Sequence, residues 1–227
     1  VLPLDVADAA AVPAAVARAA QLGGRLDVVV NNAGFGLISS AEEAAEADIE
    51  RLLEVNFHGT RRVIQAALPL LRKQRAGHIV NITSIAGVAP SAGSAFYAAA
   101  KFAVEGMSLS LAQELAPLGI KLTLVEPGAF RTDFLSEHSI RITPVAIEDY
   151  AATAGATLAR LQSIAGSQAG DPVKAAQAIL AAVDAEEPPL HLLLGADAYA
   201  RAQARHERFG AELERWKAVS LSTGFDA

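Results

Sequence analysis

Hydrophobic and polar positions along this chain follow two alternating patterns. Short apolar runs rich in β-branched residues recur, and each is typical of a strand buried in a parallel sheet. Between them lie longer segments whose apolar positions have helical spacing. The runs that predict strands span residues 1–6, 26–30, 78–83, 120–125 and 190–194. The segments that predict helices span residues 9–22, 48–75, 94–115, 147–164, 172–185 and 197–217.

Predicted strands and helices alternate along almost the whole sequence. This order indicates right-handed strand–helix–strand crossovers, and it predicts an α/β fold with a doubly wound parallel sheet in three α/β/α layers. We expect a single domain over residues 1–227, with an irregular insertion at 133–172. In such sheets ligands bind beyond the carboxyl ends of the strands, so the residues that follow each strand are the candidates for chemistry.

Composition narrows the class of protein. The chain has 227 residues, of which 52% are hydrophobic and 19% charged, enough for one sizeable core. A net charge of −6 argues against nucleic acid or an anionic membrane surface as a partner. The absence of cysteine excludes disulfides and thiol catalysis, and the five histidines lack metal-ligand spacing, so we expect no metal site. No apolar run could span a membrane and no signal peptide is visible, so a cytoplasmic location is expected.

The stretch from Gly77 to Lys101 carries the strongest candidate chemistry. Ser84 follows the predicted strand 78–83, and Tyr97 and Lys101 lie four apart on one face of an alanine-rich helix. A phenol has a pKa of about 10, and a nearby cation lowers it, while a serine hydroxyl can hydrogen-bond a substrate oxygen. The three groups could therefore transfer a proton between a carbonyl and an alcohol. Taken alone, a Tyr-x-x-x-Lys pair more often marks a solvated helix face.

Other unusual residues also follow predicted strands, and each has two interpretations. The sequence at 31–34 is either a simple turn or a place where small residues let a ribose or adenine approach the backbone. Asn56 lies in mid-helix, as a tolerated surface residue or as a side chain that supports a local break or a water. Pro127-Gly128 could merely end a strand, Thr132 could cap the next segment, and Asp5 could be an ordinary turn acid.

Taken in order, these motifs resemble those of the short-chain dehydrogenase/reductase family. The resemblance covers residues 4–132 and, more weakly, the last strand. The matching motifs are Asn-Asn-Ala-Gly at 31–34, Asn56, Ser84, Tyr97-Ala-Ala-Ala-Lys101 and Pro-Gly-Ala-Phe-Arg-Thr at 127–132. The resemblance implies a Rossmann-like domain that binds NAD or NADP and oxidises or reduces a carbonyl/alcohol substrate.

The resemblance also implies a role for each matching residue. Tyr97 would be the general acid/base, Lys101 would lower its pKa and hold the nicotinamide ribose, Ser84 would orient the substrate, and Asn56 would support a water-linked proton relay. The residues implied to contact the cofactor are Asp5, Val6, Asn32, Ala33, Gly34, Tyr97, Lys101, Pro127, Gly128 and Thr132.

The sequence departs from the family pattern at its start. Members of the family open with a strand and a glycine-rich turn that receives the pyrophosphate at a helix N-terminus, and no such turn is present here. We therefore expect that N-terminal strands are missing from this sequence and that the dinucleotide site is incomplete. The residues that distinguish NAD from NADP would lie in that segment.

An oxidoreductase is the favoured function, with two alternatives. One is a catalytically silent binding protein that kept the fold, and the other is an NAD(P)-dependent epimerase or dehydratase. Segment 133–172 lies where relatives carry a substrate lid; its Ala- and Leu-rich helix suggests an apolar substrate or a contact with a partner subunit.

A homodimer or homotetramer is also expected, because the helices at 48–75 and 94–115 carry apolar residues on more than one face. These residues are Leu52, Val63, Ile64, Leu68, Phe102, Val104, Met107 and Leu111.

Overall fold

The computed structural model of the protein describes residues 1–225. Its strands are β1 (Val28–Asn31), β2 (Gly36–Ile38), β3 (Gly77–Ile82), β4 (Ile120–Pro127), β5 (Ile140–Ile142) and β6 (His191–Leu194). Its α-helices are α1 (Ala11–Gly23), α2 (Glu46–Leu53), α3 (Thr60–Gln74), α4 (Ala95–Leu115), α5 (Ala156–Ile164), α6 (Pro172–Asp184) and α7 (Ala196–Leu221).

The central sheet has four parallel strands in the order β1-β3-β4-β6. All four carboxyl ends therefore meet at one edge of the sheet. The strands β2 and β5 pair in parallel as a separate short sheet, and neither was predicted from the sequence, because three residues are too few for a periodic pattern.

Helices cover both faces of the central sheet. Side chains alternate between the faces along a strand, so Ile79 and Val80 belong to different cores. Ile79 packs with residues of α1, α3 and α4, including Ile64 and Leu71, whereas Val80 packs with Val125 and residues of α6. The three-layer α/β/α arrangement with a parallel sheet confirms the predicted fold class.

The segment at 1–6 is not a strand, which corrects the first predicted element. A strand needs a partner for its backbone groups, and β1 is an edge strand that pairs only with β3 among the described residues. The segment instead ends in a turn, in which the Asp5 carboxylate accepts the Ala7 N–H at 2.9 Å. The predicted cap of the next helix is confirmed, because the Asp8 carboxylate accepts two N–H groups at the start of α1.

Two predicted helices are interrupted. The helix expected over 48–75 consists of α2, a π-helical turn at Glu54–Gly59, and α3. The helix expected over 147–164 begins as a 3₁₀ turn, passes through a π-helical turn at Ala151–Gly155, and becomes α-helical only at Ala156. The last helix extends past its predicted end to Leu221.

The apolar residues on which we based the expected oligomer are mostly covered within this chain. Three of them are buried, and four more are half-buried against the chain's own helices and strands. Only Phe102, 44% exposed, faces solvent, and Leu109 lies on the same helix at 39%. The covered residues belong to more than one cluster of this chain, since Leu52 packs with Leu37 rather than in the cluster of Ile64, and the oligomer stays a prediction. None of the described helices is long and apolar enough to cross a membrane.

Candidate active site

The carboxyl ends of β1, β3 and β4 open into one cavity of about 460 Å³, which we call the main cavity. This volume lies within the range of small-molecule sites. Eight of the predicted site residues line it: Asn32, Gly34, Ser84, Tyr97, Lys101, Pro127, Gly128 and Thr132.

A second cavity of about 300 Å³ adjoins the first, with Gly34 and Phe35 lining both. The remaining residues predicted to contact a cofactor, Asp5, Val6 and Ala33, line this second cavity. The sequence-predicted cofactor residues thus lie in two neighbouring cavities along the same edge of the sheet. Asn56 lines neither cavity; it binds the backbone of Phe35, which lines both.

Asn56 holds the turn that follows β1. Its side chain is 1% exposed, its Oδ1 accepts the Phe35 N–H at 3.0 Å, and its Nδ2 donates to the Phe35 carbonyl at 2.8 Å. The π-helical turn around Asn56 leaves its own carbonyl to accept the Thr60 hydroxyl at 3.1 Å. Of the two interpretations open from the sequence, the structure supports a side chain at a local break in the helix, which is a common device near functional sites.

Tyr97 lies in the first turn of α4 and is 8% exposed. Burial raises the pKa of its phenol to about 12, while the neighbouring Ser84 hydroxyl opposes this rise by hydrogen bonding. The expected net lowering of this pKa is not found, because burial is the largest influence on the phenol, and the Lys101 amine is hydrogen-bonded to the Ile82 carbonyl. The Ser84 Oγ also accepts the Ala86 N–H at 3.1 Å, which fixes its position at the end of β3.

Lys101 lies one turn after Tyr97 on α4 and is 7% exposed. Its Nζ donates to the carbonyl of Ile82 at 2.9 Å and lies 5.8 Å from the centre of the Tyr97 ring. Burial lowers the pKa of this amine to about 8, and the charge of Glu105 opposes the shift. The amine therefore exchanges its proton near neutral pH, which suits a group that passes protons.

The cavity walls fit a nicotinamide cofactor. A Cβ at Gly34 would lie 3.1 Å from the Asn56 Oδ1, which is tight, and 3.7 Å from the Lys101 Nζ, which is an ordinary contact, so a side chain there would crowd Asn56. The absence of a side chain leaves the backbone after β1 open to a ligand. An amine, a phenol, a hydroxyl and an amide border the same space, and these donors suit ribose hydroxyls and a carboxamide.

Gly128 has a packing role that the sequence did not indicate. Its N–H donates to the carbonyl of Leu194 at 2.9 Å. The Asp197 carboxylate of α7 lies against it, and a Cβ at Gly128 would clash with that carboxylate. The lack of a side chain at Gly128 leaves room for Asp197, whose Oδ2 accepts the Ala129 N–H at 2.9 Å. This contact holds α7 against one side of the main cavity.

A buried acid pair lies next to Lys101, and the sequence analysis missed it. Glu105 is 5% exposed, its Oε1 has no hydrogen-bond partner in the described part of the chain, and burial raises its pKa to about 7. Glu126 is 1% exposed and its Oε1 lies 2.6 Å from the Nδ1 of His191. The signal in the sequence was a glutamate four residues after Lys101, on the same face of the helix. His191, taken as an isolated histidine from the sequence, is the outer member of this cluster.

We predict that Glu105→Gln flattens the dependence of stability on pH. The folded protein holds the Glu105 proton up to about pH 7, whereas the reference pKa is 4.5. Between these values the folded state binds more protons than the unfolded state, so the free energy of unfolding falls as pH rises. A shift of this size corresponds to about 3 kcal/mol.

Urea unfolding followed by circular dichroism from about pH 5 to about pH 8 measures this difference. The wild type should lose more stability over that range than Glu105→Gln. Glu114→Gln, an exposed position on the same helix, is the matched control and should follow the wild type. Parallel profiles for the wild type and Glu105→Gln would show that Glu105 is already ionised.

Comparison with known proteins extends these observations. A family model described as short chain dehydrogenase matches residues 1–141. Oxidoreductase BOA17 of Botryotinia fuckeliana is 40% identical over 220 residues, which cover 97% of this chain and 80% of that protein. The 3-ketodihydrosphingosine reductase of Bacteroides thetaiotaomicron is 42% identical over 150 residues, 66% of this chain and 56% of that protein.

Solved structures show the same similarity. A short-chain dehydrogenase from Streptomyces avermitilis superposes with a TM-score of 0.90 at 38% identity, over 99% of this chain and 80% of that one. The structure of ElxO with NADP bound superposes with a TM-score of 0.67 at 28% identity, over 84% of this chain and 74% of that one.

Proposed function

The chain belongs to the short-chain dehydrogenase/reductase family, and we propose that it interconverts a carbonyl and an alcohol with NAD or NADP as hydride carrier and Tyr97 as general acid/base. One observation carries this proposal. Ser84, Tyr97 and Lys101 line one cavity together with Asn32, Gly34 and Thr132, which would hold the cofactor. The structure of ElxO, a relative with NADP bound, supports the choice of cofactor class.

The cofactor, when bound, supplies or accepts the hydride, and the protein supplies position and a proton. Asn32, Gly34, Lys101 and Thr132 would hold its nicotinamide half in the main cavity. Asp5, Val6 and Ala33 would hold its adenosine half in the adjoining cavity.

The phenol of Tyr97 donates its proton to the carbonyl oxygen during reduction. A pKa of about 12 keeps the phenol protonated at neutral pH, so the protein without ligand is ready to act as an acid. The Ser84 hydroxyl donates a second hydrogen bond to the same oxygen and holds it in place. For the oxidation of an alcohol, Tyr97 must first lose its proton, which requires a cation close to the phenolate.

Lys101 supplies that cation and returns the proton. Its amine is fixed on the Ile82 carbonyl, and its pKa of about 8 lets it both carry a charge and release a proton. Asn56 keeps the turn before Phe35 in place, so it positions the wall of both cavities and does not itself contact the reacting atoms.

The proposed domain is the single one expected over 1–227, of which residues 226 and 227 lie outside the described residues. Segment 133–172 would act as a lid over an apolar substrate, and Phe134, Leu135, Leu161 and Ile164 line the main cavity in support of this role. A homodimer or homotetramer would form through α4, where Phe102 and Leu109 face outward.

Initial rates with NADH and with NADPH test the proposed function. A panel of aliphatic and aromatic aldehydes and ketones should cause loss of the absorbance of one reduced cofactor, and the matching alcohols should regenerate it with the oxidised form. Saturable binding of either cofactor without any such turnover would indicate the silent binding protein. Conversion of a substrate with no net change in cofactor would indicate an epimerase or dehydratase.

A further inference from the structure

We propose that the main cavity contains a subsite that binds a carboxylate, so that the substrate is an amphipathic carbonyl compound with an acidic terminus. We call this subsite the polar end; the side chains proposed to form it are Arg160 of α5, Gln168 of the segment before α6, and Arg201 of α7, all of which line the cavity. The inference rests on the proposed function, because it assigns the class of substrate for the same cavity.

Gln168 is the first observation. The residue is 3% exposed and lines the main cavity, yet neither its Oε1 nor its Nε2 has a hydrogen-bond partner among residues 1–225. Leaving a buried polar atom without a hydrogen-bond partner is energetically costly. A buried amide that borders a cavity and lacks partners on both atoms is therefore placed to meet a polar group of a ligand. Its Nε2 donates to acceptors such as carboxylate oxygens.

The two guanidinium groups are the second observation. Neither Arg160 nor Arg201 lies within ion-pair distance of a carboxylate in the described part of the chain. Arg201 is held by the Ala89 carbonyl and by the Ser91 Oγ at 3.1 Å. Both residues line the main cavity, and burial, followed by repulsion from the charge of Arg160, lowers the pKa of Arg201.

An anion between the two arginines would remove this repulsion. Guanidinium groups also bind carboxylates in a paired geometry that an amine does not match. Asp197 borders the same cavity and partly offsets the charge of Arg201. Its Oδ2 accepts the Ala129 N–H, which leaves the guanidinium groups as the cationic surface that a ligand meets.

Much of the remaining lining of the main cavity is apolar. It includes Ile38, Phe134, Leu135, Leu161 and Ile164, which suit an alkyl chain. A ligand that fills the cavity therefore places its carbonyl at Ser84 and Tyr97, its hydrocarbon against this wall, and its acid at the polar end. This arrangement predicts ω-oxo fatty acids, or keto acids of similar length, rather than neutral lipids.

Three matched series of aldehydes test the inference in the full chain: ω-oxo carboxylic acids, their methyl esters and unsubstituted alkanals of the same chain lengths. At the best length, kcat/KM for the acid should exceed that for the ester by about tenfold, the effect of one charge-assisted contact. Arg160→Gln and Gln168→Leu should each reduce the ratio of acid to ester toward one. Arg208→Gln removes the same charge from an exposed position on α7 and should leave the ratio unchanged.

A binding measurement keeps the inference separate from the proposed function. Titration calorimetry with a saturated fatty acid and its methyl ester needs no turnover, and the acid should bind about tenfold more tightly in the wild type and equally in Arg160→Gln. Equal affinity of acid and ester for the wild type, or an unchanged ratio in both variants, would overturn the anionic subsite. Reduction of alkanals without a preference for acids would support the proposed function and refute the anionic subsite. Tight binding of the acid without any turnover would support the subsite and refute the proposed function.

Discussion

Replacing Tyr97 with phenylalanine should lower kcat/KM by about 10³-fold while the protein stays folded. The substitution removes only the phenolic hydroxyl, and the ring keeps its place against Phe134, 5.9 Å away between ring centres. The lost group is a phenol that a pKa of about 12 keeps protonated, with the Ser84 hydroxyl beside it. Tyr97 is the only tyrosine among the described residues that line the main cavity.

The measurement is the initial rate of reduction of the best aldehyde, with circular dichroism and a cofactor titration on the same sample. Cofactor affinity should change by less than about threefold, because the hydroxyl contributes at most one neutral hydrogen bond to binding. Tyr199→Phe removes a hydroxyl from a 63% exposed tyrosine on α7 and is the matched control. Activity of Tyr97→Phe within about tenfold of the wild type would remove Tyr97 as the acid/base.

Replacing Lys101 with methionine should lower kcat by about 10²-fold and move the optimum for alcohol oxidation to higher pH. Oxidation needs the phenolate of Tyr97, and burial alone makes that anion costly. Without the Lys101 ammonium the phenol loses its proton only at higher pH. Methionine fills a similar volume and has no charge to desolvate, so the variant should fold.

The pH dependence of cofactor binding gives an independent measurement. The pKa of Lys101 is lowered to about 8, so its charge is present below that pH and lost above it. Affinity for the cofactor should therefore fall in the wild type as pH rises through about 8, and the Lys101→Met variant should show weaker binding without this step. Lys73→Met, at an exposed position on α3, serves as control. Profiles that superimpose on the wild type would refute the role of this ammonium.

Local sequence patterns predicted the fold and the position of the proton-transfer groups. The strand before Ser84 and the four-residue spacing of Tyr97 and Lys101 depend on neighbours in the chain, and such patterns survive folding. The cap at Asp8 was readable for the same reason. These short-range rules were enough to place Ser84, Tyr97 and Lys101 on one cavity.

Properties that depend on distant contacts could not be predicted. The pKa of Tyr97 was expected to fall, and it rises because burial is set by segments far away in the sequence. Gln168 and Arg201 meet at the main cavity only after the chain has folded, so no spacing rule links them. The segment at 1–6 shows the converse case, in which an apolar run suits a strand but the described residues offer it no partner.

The π-helical turn at Glu54–Gly59 makes the length of this region a constraint on its own. A π-helical turn holds one residue more than an α-helical turn, so deleting one residue here can be taken up by closing the region into a regular α-helix. Ile64 and Leu71 of α3 would then keep their places in the core, but the break that directs Asn56 to the Phe35 backbone would be lost. We therefore expect a deletion in this region to disturb the wall shared by the two cavities before it disturbs the hydrophobic core.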